Sequence, residues 1–497
     1  MKRLLASLLT LCLLAACSSI FPTPSTITPT APDNDLGRLD PELPMFRDGL
    51  VTSAQPVLAA MDGASTYRLD FVIADDFIHV QGKENVRYTN RENVTLSAVG
   101  FRLFPNILGG KMTVSNLKIE GMAVTPKYSL ANSLMTVPLP SPLEVGESVY
   151  IGMDFELEVP TDVELNYGVL AYYEGILTLA HSYPMIAVYD DEGWNAEIPP
   201  QAGDVTFADA SFFLVTVTAP QGLTIVASGL ESAPEMAGSQ QIQTVAIGPA
   251  RDFFLAASRD YEVVTQKVGE VTVNSYAPKS LKEESQSALT SAARALETFS
   301  EKYAPYPYTE FDIVITPTLA LGIEYPGATA IAERILRGEY GDQTAVYLES
   351  TMVHEVAHQW FSNLVGSDQL DEPWLDESLA QYVTWQYYET NFGAGAADGF
   401  EASLQSRWER VQNAPIPIGQ PVAAYVGREY GAIVYGRGAF FFEALKNEMG
   451  AEAFDAFLKD YTTTFSWENA STEGLKSLAE EHCGCDLTPL FEEWIYP

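Results

Sequence analysis

The stretch His354-Glu355-Val356-Ala357-His358 concentrates two of the five histidines of this 497-residue chain around one glutamate. In a helix of 3.6 residues per turn the two histidines stand one turn apart on the same face, where two neutral imidazoles can meet on one zinc ion. Glu355 lies beside them, placed to take a proton from a water rather than to bind the metal. Taken alone, the spacing also fits a surface helix that carries two histidines. A catalytic zinc needs a third protein ligand and one open position for water. Glu377, with eighteen residues between it and His358, meets that need. The interval lets one helix finish, a loop reverse the chain and a second helix return antiparallel with its carboxylate toward the metal.

These side chains need elements to hold them. Asp342 can cap a helix running from about Gln343 to Leu364 and stopping at Gly366. Glu372 or Asp371 can cap the second helix, with Pro373 at its first position. Farther upstream the pattern has period two: Tyr67, Leu69, Phe71 and Ile73, then Val149 to Val159, then Phe213, Val215 and Val217. Residues 55–265 therefore read as a mostly antiparallel β domain. From Ser280, where Ser280 and Glu283 fit a capping box, Leu289, Ala293, Leu296, Phe299 and Tyr303 fall on one helical stripe. One strand signal, Phe311 to Ile315, lies within this region and leads toward Leu321–Gly327. The fold class expected is α+β and multidomain, an N-terminal antiparallel β domain followed by a mostly helical catalytic domain over 266–497.

His354-Glu355-x-x-His358, eighteen residues and then Trp374-Leu375-Asp376-Glu377 resemble the zinc aminopeptidase family typified by aminopeptidase N and leukotriene hydrolase, the gluzincin metallopeptidases. The family's usual wording there is W-L-N-E-G, so Asp376 and Ser378 are departures. Gly322-Ile323-Glu324-Tyr325 resembles the family's G-A-M-E-N segment, with Leu321 and Tyr325 departing from it. The resemblance gives Glu324 the substrate's α-ammonium and the strand around Gly322 the peptide backbone. Tyr435-Gly436-Arg437-Gly438 resembles Y-x-K-G, which implies that the Tyr435 hydroxyl stabilises an oxyanion, with Arg437 in place of Lys. Tyr430 is a weaker candidate for that role. The resemblance further implies a saddle-like β domain, a thermolysin-like catalytic domain and one zinc ion. Family members lend a further amine-site residue from the β domain. No residue is carried over for it, and a structural reading of the nearby His181 and Glu192 is favoured. The chain looks like a short form without the family's C-terminal helical domain, so an open cleft is expected.

Lys2, Arg3 and the apolar run Leu4–Leu14 read as an export signal over residues 1–16, and Leu14-Ala15-Ala16-Cys17 resembles the lipobox of bacterial lipoproteins. Lipidation at Cys17, anchorage to a membrane outside the cytoplasm and a Pro/Thr/Ser-rich tether over 17–54 are the expectations. Cys483 and Cys485 can form a tight disulfide, a metal clip or two free thiols, and the disulfide is favoured. The net charge of -38 repels phosphate backbones, which sets nucleic acid aside as a partner. The expected function is zinc-dependent hydrolysis of peptides with a free N-terminus. The alternatives are a zinc endopeptidase or other hydrolase with an open cleft, and a surface-tethered binding protein without catalysis.

Overall fold

The computed structural model describes residues 44–496 apart from 62, 191–192, 201–202 and 204. The export signal, Cys17, most of the tether and Glu192 lie outside the described residues.

Inward alternation builds the β part. Tyr67, Leu69, Phe71 and Ile73 are all buried along β1 (Thr66–Ile73), which lies between β2 (His79–Thr89) and β5 (Ser211–Pro220). The sheet extends through β3 (Lys111–Ile119) and β4 (Ser148–Glu158) on one side, and through β6 (Leu230–Glu231) and β7 (Gln240–Ala250) on the other. Its order is β6-β7-β5-β1-β2-β4-β3, with the short strand Met122–Ala123 beyond β3. Its labelled pairs are antiparallel except β1 with β5, which run parallel. Tyr67 stacks on Phe213 across that parallel pair at 4.9 Å between ring centres, so the alternation seen in sequence becomes cross-strand packing. Two further four-stranded sheets are formed by strands of the same part of the chain among the described residues.

A second sheet begins at Tyr261, so its first strand, β8 (Tyr261–Val268), runs across the expected division at 265. It continues as β9 (Val271–Pro278), β10 (Glu310–Thr316), β11 (Gly322–Tyr325) and β12 (Ala328–Ala332), in the order β8-β9-β10-β12-β11. The sequence reading captured β10 but not the mixed sheet around it. Parallel neighbours on both sides bury β10 along nearly its whole length, which erases the alternation that marks a half-exposed strand. β11 is the edge strand, paired to β12 alone.

Helix α1 (Lys282–Lys302) covers this sheet, and the expected stripe from Leu289 to Tyr303 is buried. The Ser280–Glu283 capping box does not form. Pro278 turns the chain into a 3₁₀ turn at Lys279–Leu281, and Leu281 takes the N-cap position without a side-chain bond. Beyond the sheet come α2 (Thr344–Ala357), α3 (Glu377–Phe392), α4 (Ala394–Trp408) and α5 (Gly438–Met449). Helices Ala451–Thr464, Thr472–Cys483 and Thr488–Trp494 follow, and a Cys483–Cys485 disulfide closes the second of these. Among the described residues no helix is long and apolar enough to cross a membrane.

Candidate active site

Helix α2 is shorter than the sequence suggests. A 3₁₀ turn at Gly341–Gln343 absorbs Asp342, so Asp342 does not cap the helix. At the other end regular bonding stops at Ala357. Trp360 reaches back three residues to Ala357, whereas Asn363 and Leu364 reach back five, to His358 and Gln359. His358 sits at this end, and its Nδ1–H donates to the Phe361 carbonyl at 3.0 Å, which turns Nε2 toward His354. The third ligand also comes from a helix end. α3 starts at Glu377 itself, four residues later than Pro373, because Asp376 takes the N-cap position and accepts the Glu377 N–H at 2.7 Å. Asp368 holds the turn before it by accepting the N–H groups of Leu370 and Asp371.

The three ligand atoms converge. His354 Nε2 lies 3.2 Å from His358 Nε2 and 3.1 Å from Glu377 Oε2, and His358 Nε2 lies 3.5 Å from that same oxygen. Behind His354, the Gln381 side-chain amide meets Nδ1 at 3.2 Å while its Oε1 is buried without a hydrogen bond. Turning the amide by half a revolution lets Nδ1–H donate to that oxygen and leaves Nε2 as a lone pair. Two imidazole lone pairs and a carboxylate aimed at one point repel one another unless a cation sits between them. Two nitrogens and one oxygen of this kind suit zinc.

Electrostatics describe the same crowding. Burial raises the Glu355 carboxyl well above its ordinary range, and the charges of Glu324 and Glu377 add to the rise against His358. Burial also raises Glu324 and pushes Asp376 up to about 8, each with help from Glu377. His354 is lowered by burial, whereas for His358 the charges of Glu324 and Glu377 outweigh burial and raise it. Glu377 is lowered, because His358 and His354 outweigh its burial.

Glu324 stands on β11 against α2. The amide of Gln359 fixes that contact from both ends, donating to the Tyr325 carbonyl at 3.0 Å and accepting the Gly327 N–H at 3.1 Å. One oxygen of Glu324, one of Glu355 and one nitrogen of His358 lie within 4.8 Å of one another. Gln369 Nε2 bridges Glu324 at 3.3 Å and Asp376 at 2.8 Å. Gly322 lines the same cleft, and a β-carbon there would collide with the Glu355 carboxylate.

Tyr435 sits in a single π-helical turn, Ile433–Arg437, at the start of α5. Its hydroxyl donates to Glu377 Oε1 at 2.5 Å, which brings it beside the histidine cluster. Tyr430 packs edge-on against the Tyr435 ring at 5.5 Å. Arg437 points away from the cluster. Its guanidinium donates to the carbonyls of Ile416, Glu493 and Trp494 and stacks over the Trp494 ring at 4.5 Å, which fastens the last helix. Ser378, the departure from the family Gly, packs against Gly438, and its Oγ–H donates to Val434 at 2.7 Å. The two small residues let α3 and the π turn touch.

A cleft of about 1020 Å³ contains Gly322, Glu324, His354, Glu355, Glu377 and Tyr435 in its wall. His181 contributes to that wall from the β part, held by Asp252 at 2.7 Å and beside the Thr206 hydroxyl at 3.1 Å. The sequence reading missed Gln359, Gln369 and Gln381. Of these only Gln381 left a trace, one turn after Glu377 on the same helix.

Residues 287–494 match the peptidase family M1 domain. Aminopeptidase M1-C of Oryza sativa subsp. japonica is 25% identical over 397 residues, covering 76% of this chain and 44% of its own length. Leucyl aminopeptidase of Saccharolobus solfataricus is 29% identical over 211 residues, 40% of this chain and 26% of its own. The chain thus spans under half the length of these curated relatives. A variant of the M1 zinc metallopeptidase of Deinococcus radiodurans, bound to a Tyr-Ser-Ala substrate, superposes with a TM-score of 0.63 at 21% identity. That superposition covers 87% of this chain and 94% of the other, and shows a shared fold. With its motif residues gathered in one cleft, the chain carries over residues 287–494 a match to the peptidase family M1 domain, the domain of the gluzincin zinc aminopeptidases.

Proposed function

We propose that the protein is a zinc aminopeptidase that removes the N-terminal residue of peptides. The observation that carries this reading is the place of Glu324. It lies within 4.8 Å of Glu355 and His358 but outside the group formed by His354, His358 and Glu377. An α-ammonium held there leaves room for one residue before the scissile bond reaches the metal ligands.

Zinc held by His354, His358 and Glu377 supplies Lewis acidity for the scissile carbonyl and for a water nucleophile. Glu355 accepts the proton of that water at its carboxylate and delivers it to the leaving amine. The Tyr435 hydroxyl moves from Glu377 Oε1 to the oxygen that gains charge, a role worth on the order of a hundredfold in rate. β11, an edge strand, offers its free side to the peptide backbone. The tripeptide in the Deinococcus radiodurans enzyme fits the same substrate class.

Peptides with a free N-terminus should be cut and their acetylated counterparts left intact. Glu324→Ala should lower kcat/KM by about a hundredfold or more while zinc content stays at one per chain. Equal cleavage of acetylated peptides by both proteins would place the enzyme among endopeptidases instead. Lipid anchorage at Cys17 outside the cytoplasm is part of the same proposal and rests on Leu14-Ala15-Ala16-Cys17. Fatty-acid labelling that persists in Cys17→Ala would refute it.

A further inference from the structure

On the side of the second sheet away from the histidines, three carboxylates meet. Glu310 and Asp312 are two residues apart on β10 and so share a face. Glu231 arrives from β6, an edge strand of the N-terminal sheet. One oxygen from each lies within 4.8 Å of the other two. Asn274 sits directly opposite Asp312 on β9. Its amide oxygen accepts the Thr265 hydroxyl at 2.8 Å, which turns its NH₂ toward the acids, where it donates to Glu310 at 2.5 Å and Asp312 at 2.9 Å. The Ala227 N–H holds one oxygen of Glu231 at 3.0 Å.

That inventory leaves oxygens over. Asp312 is 1% exposed, and its Oδ2 is buried without a hydrogen-bond partner. Among the described residues no Lys, Arg or His forms an ion pair with any of the three acids. A buried carboxylate oxygen that faces two more carboxylates and meets no donor is costly unless a cation or a proton sits among them.

We propose that Glu231, Glu310 and Asp312 form a second metal site, separate from the histidine cluster, that takes a hard divalent cation of the calcium type. All-oxygen ligation with no histidine or cysteine selects against zinc and for calcium. Calcium–oxygen distances of about 2.4 Å put opposite ligands about 4.8 Å apart, so three oxygens within that span fit one coordination sphere. Glu231 and Glu310 are half-buried, which gives an ion a path and water a place to complete the shell. Burial raises all three acids, with mutual repulsion adding for Glu231 and Asp312, so a cation must displace protons and its affinity rises with pH. An ion there would tie the N-terminal sheet to β10, whose neighbour β12 carries the strand of Glu324.

The test uses the full zinc-loaded chain in buffer stripped of free divalent ions. Calcium titration should show one saturable site by calorimetry and a Tm that climbs to a plateau. Terbium should bind in its place and luminesce through Tyr276, whose ionisation the three acids already oppose. Glu231→Gln, at the half-buried rim, should weaken calcium binding at least tenfold while zinc content and peptidase rate stay at wild-type values. Asp312→Asn should abolish the terbium signal. The proposal fails if neither calcium nor magnesium binds or shifts Tm at millimolar concentration. It also fails if Glu231→Gln raises Tm and leaves calcium binding as it was, because shared protons would then be what holds the acids together.

Discussion

A β-carbon at Gly322 would occupy the space of the Glu355 carboxylate, so the glycine fixes how close β11 comes to the group proposed to transfer the proton. Gly322→Ala should displace that carboxylate, and a misplacement of about 1 Å costs on the order of a hundredfold in rate. Steady-state kinetics beside zinc analysis would check it, with kcat falling and zinc retained. A wild-type kcat would mean that β11 yields instead of Glu355. That His354, His358, Glu377 and Glu355 would meet was legible because their types and intervals are tied to a chemistry that few other patterns serve. Glu324 and Tyr435 were legible by resemblance, since one acid among 66 and one tyrosine among 25 carry no signal of their own. Gln359, Gln369 and Gln381 were not legible. A glutamine does no chemistry at these places, and its value lies in which groups its amide bridges after folding.

At the scale of elements, α3 and the π turn are pressed together where Ser378 meets Gly438, and a β-carbon on Gly438 would strike Ser378 Oγ. Gly438→Ala should therefore destabilise by about 1–3 kcal/mol, and adding Ser378→Gly should return most of that loss. Denaturant melts of the single and double variants would measure the coupling, and additive losses would mean that the two residues do not share the space. The meeting of β6 with β10 makes a second prediction through Glu231 on β6, whose carboxyl is raised from 4.5 to about 8 by burial first and Glu310 next. A raised acid favours the protonated folded form. Without divalent ions, this group's contribution to stability should thus be fullest below about 4.5 and be lost as pH rises through about 8. Melts across that window in Glu231→Gln should show a shallower fall. Strand positions with one wet face were read correctly from alternation, as β1 and β4 show. Helix ends were not, because Asp342 and Ser280 sit in 3₁₀ turns and Asp376 takes a cap that the sequence offered equally to Asp371 and Glu372.

Across the whole molecule, one buried cation joins parts that no local pattern connects. Arg251, 8% exposed, donates to the Ala208 carbonyl in the β part, to Asn363 and Leu364 just after the zinc motif, and to Glu468 and Asn469 near the C-terminus. Nothing around Arg251 in the sequence marks it, since its partners lie 43 to 218 residues away. Burial pulls its guanidinium down to about 10, which still leaves it charged at neutral pH. Arg251→Met would keep much of the apolar stem but strand several buried carbonyls, at about 1–3 kcal/mol for each group left unsatisfied. Arg251→Lys should recover only part of the loss, because one ammonium cannot reach all the oxygens that a guanidinium fork spans. Calorimetry should show a clear drop in Tm for Arg251→Met and a separation of the β part's melting from that of the catalytic part. The segment after His358 would lose an anchor at the same time, so zinc should leave this variant faster than it leaves wild type. A single transition at the wild-type Tm with unchanged zinc release would show that apolar packing between the two parts, rather than this arginine, sets how His358 is held.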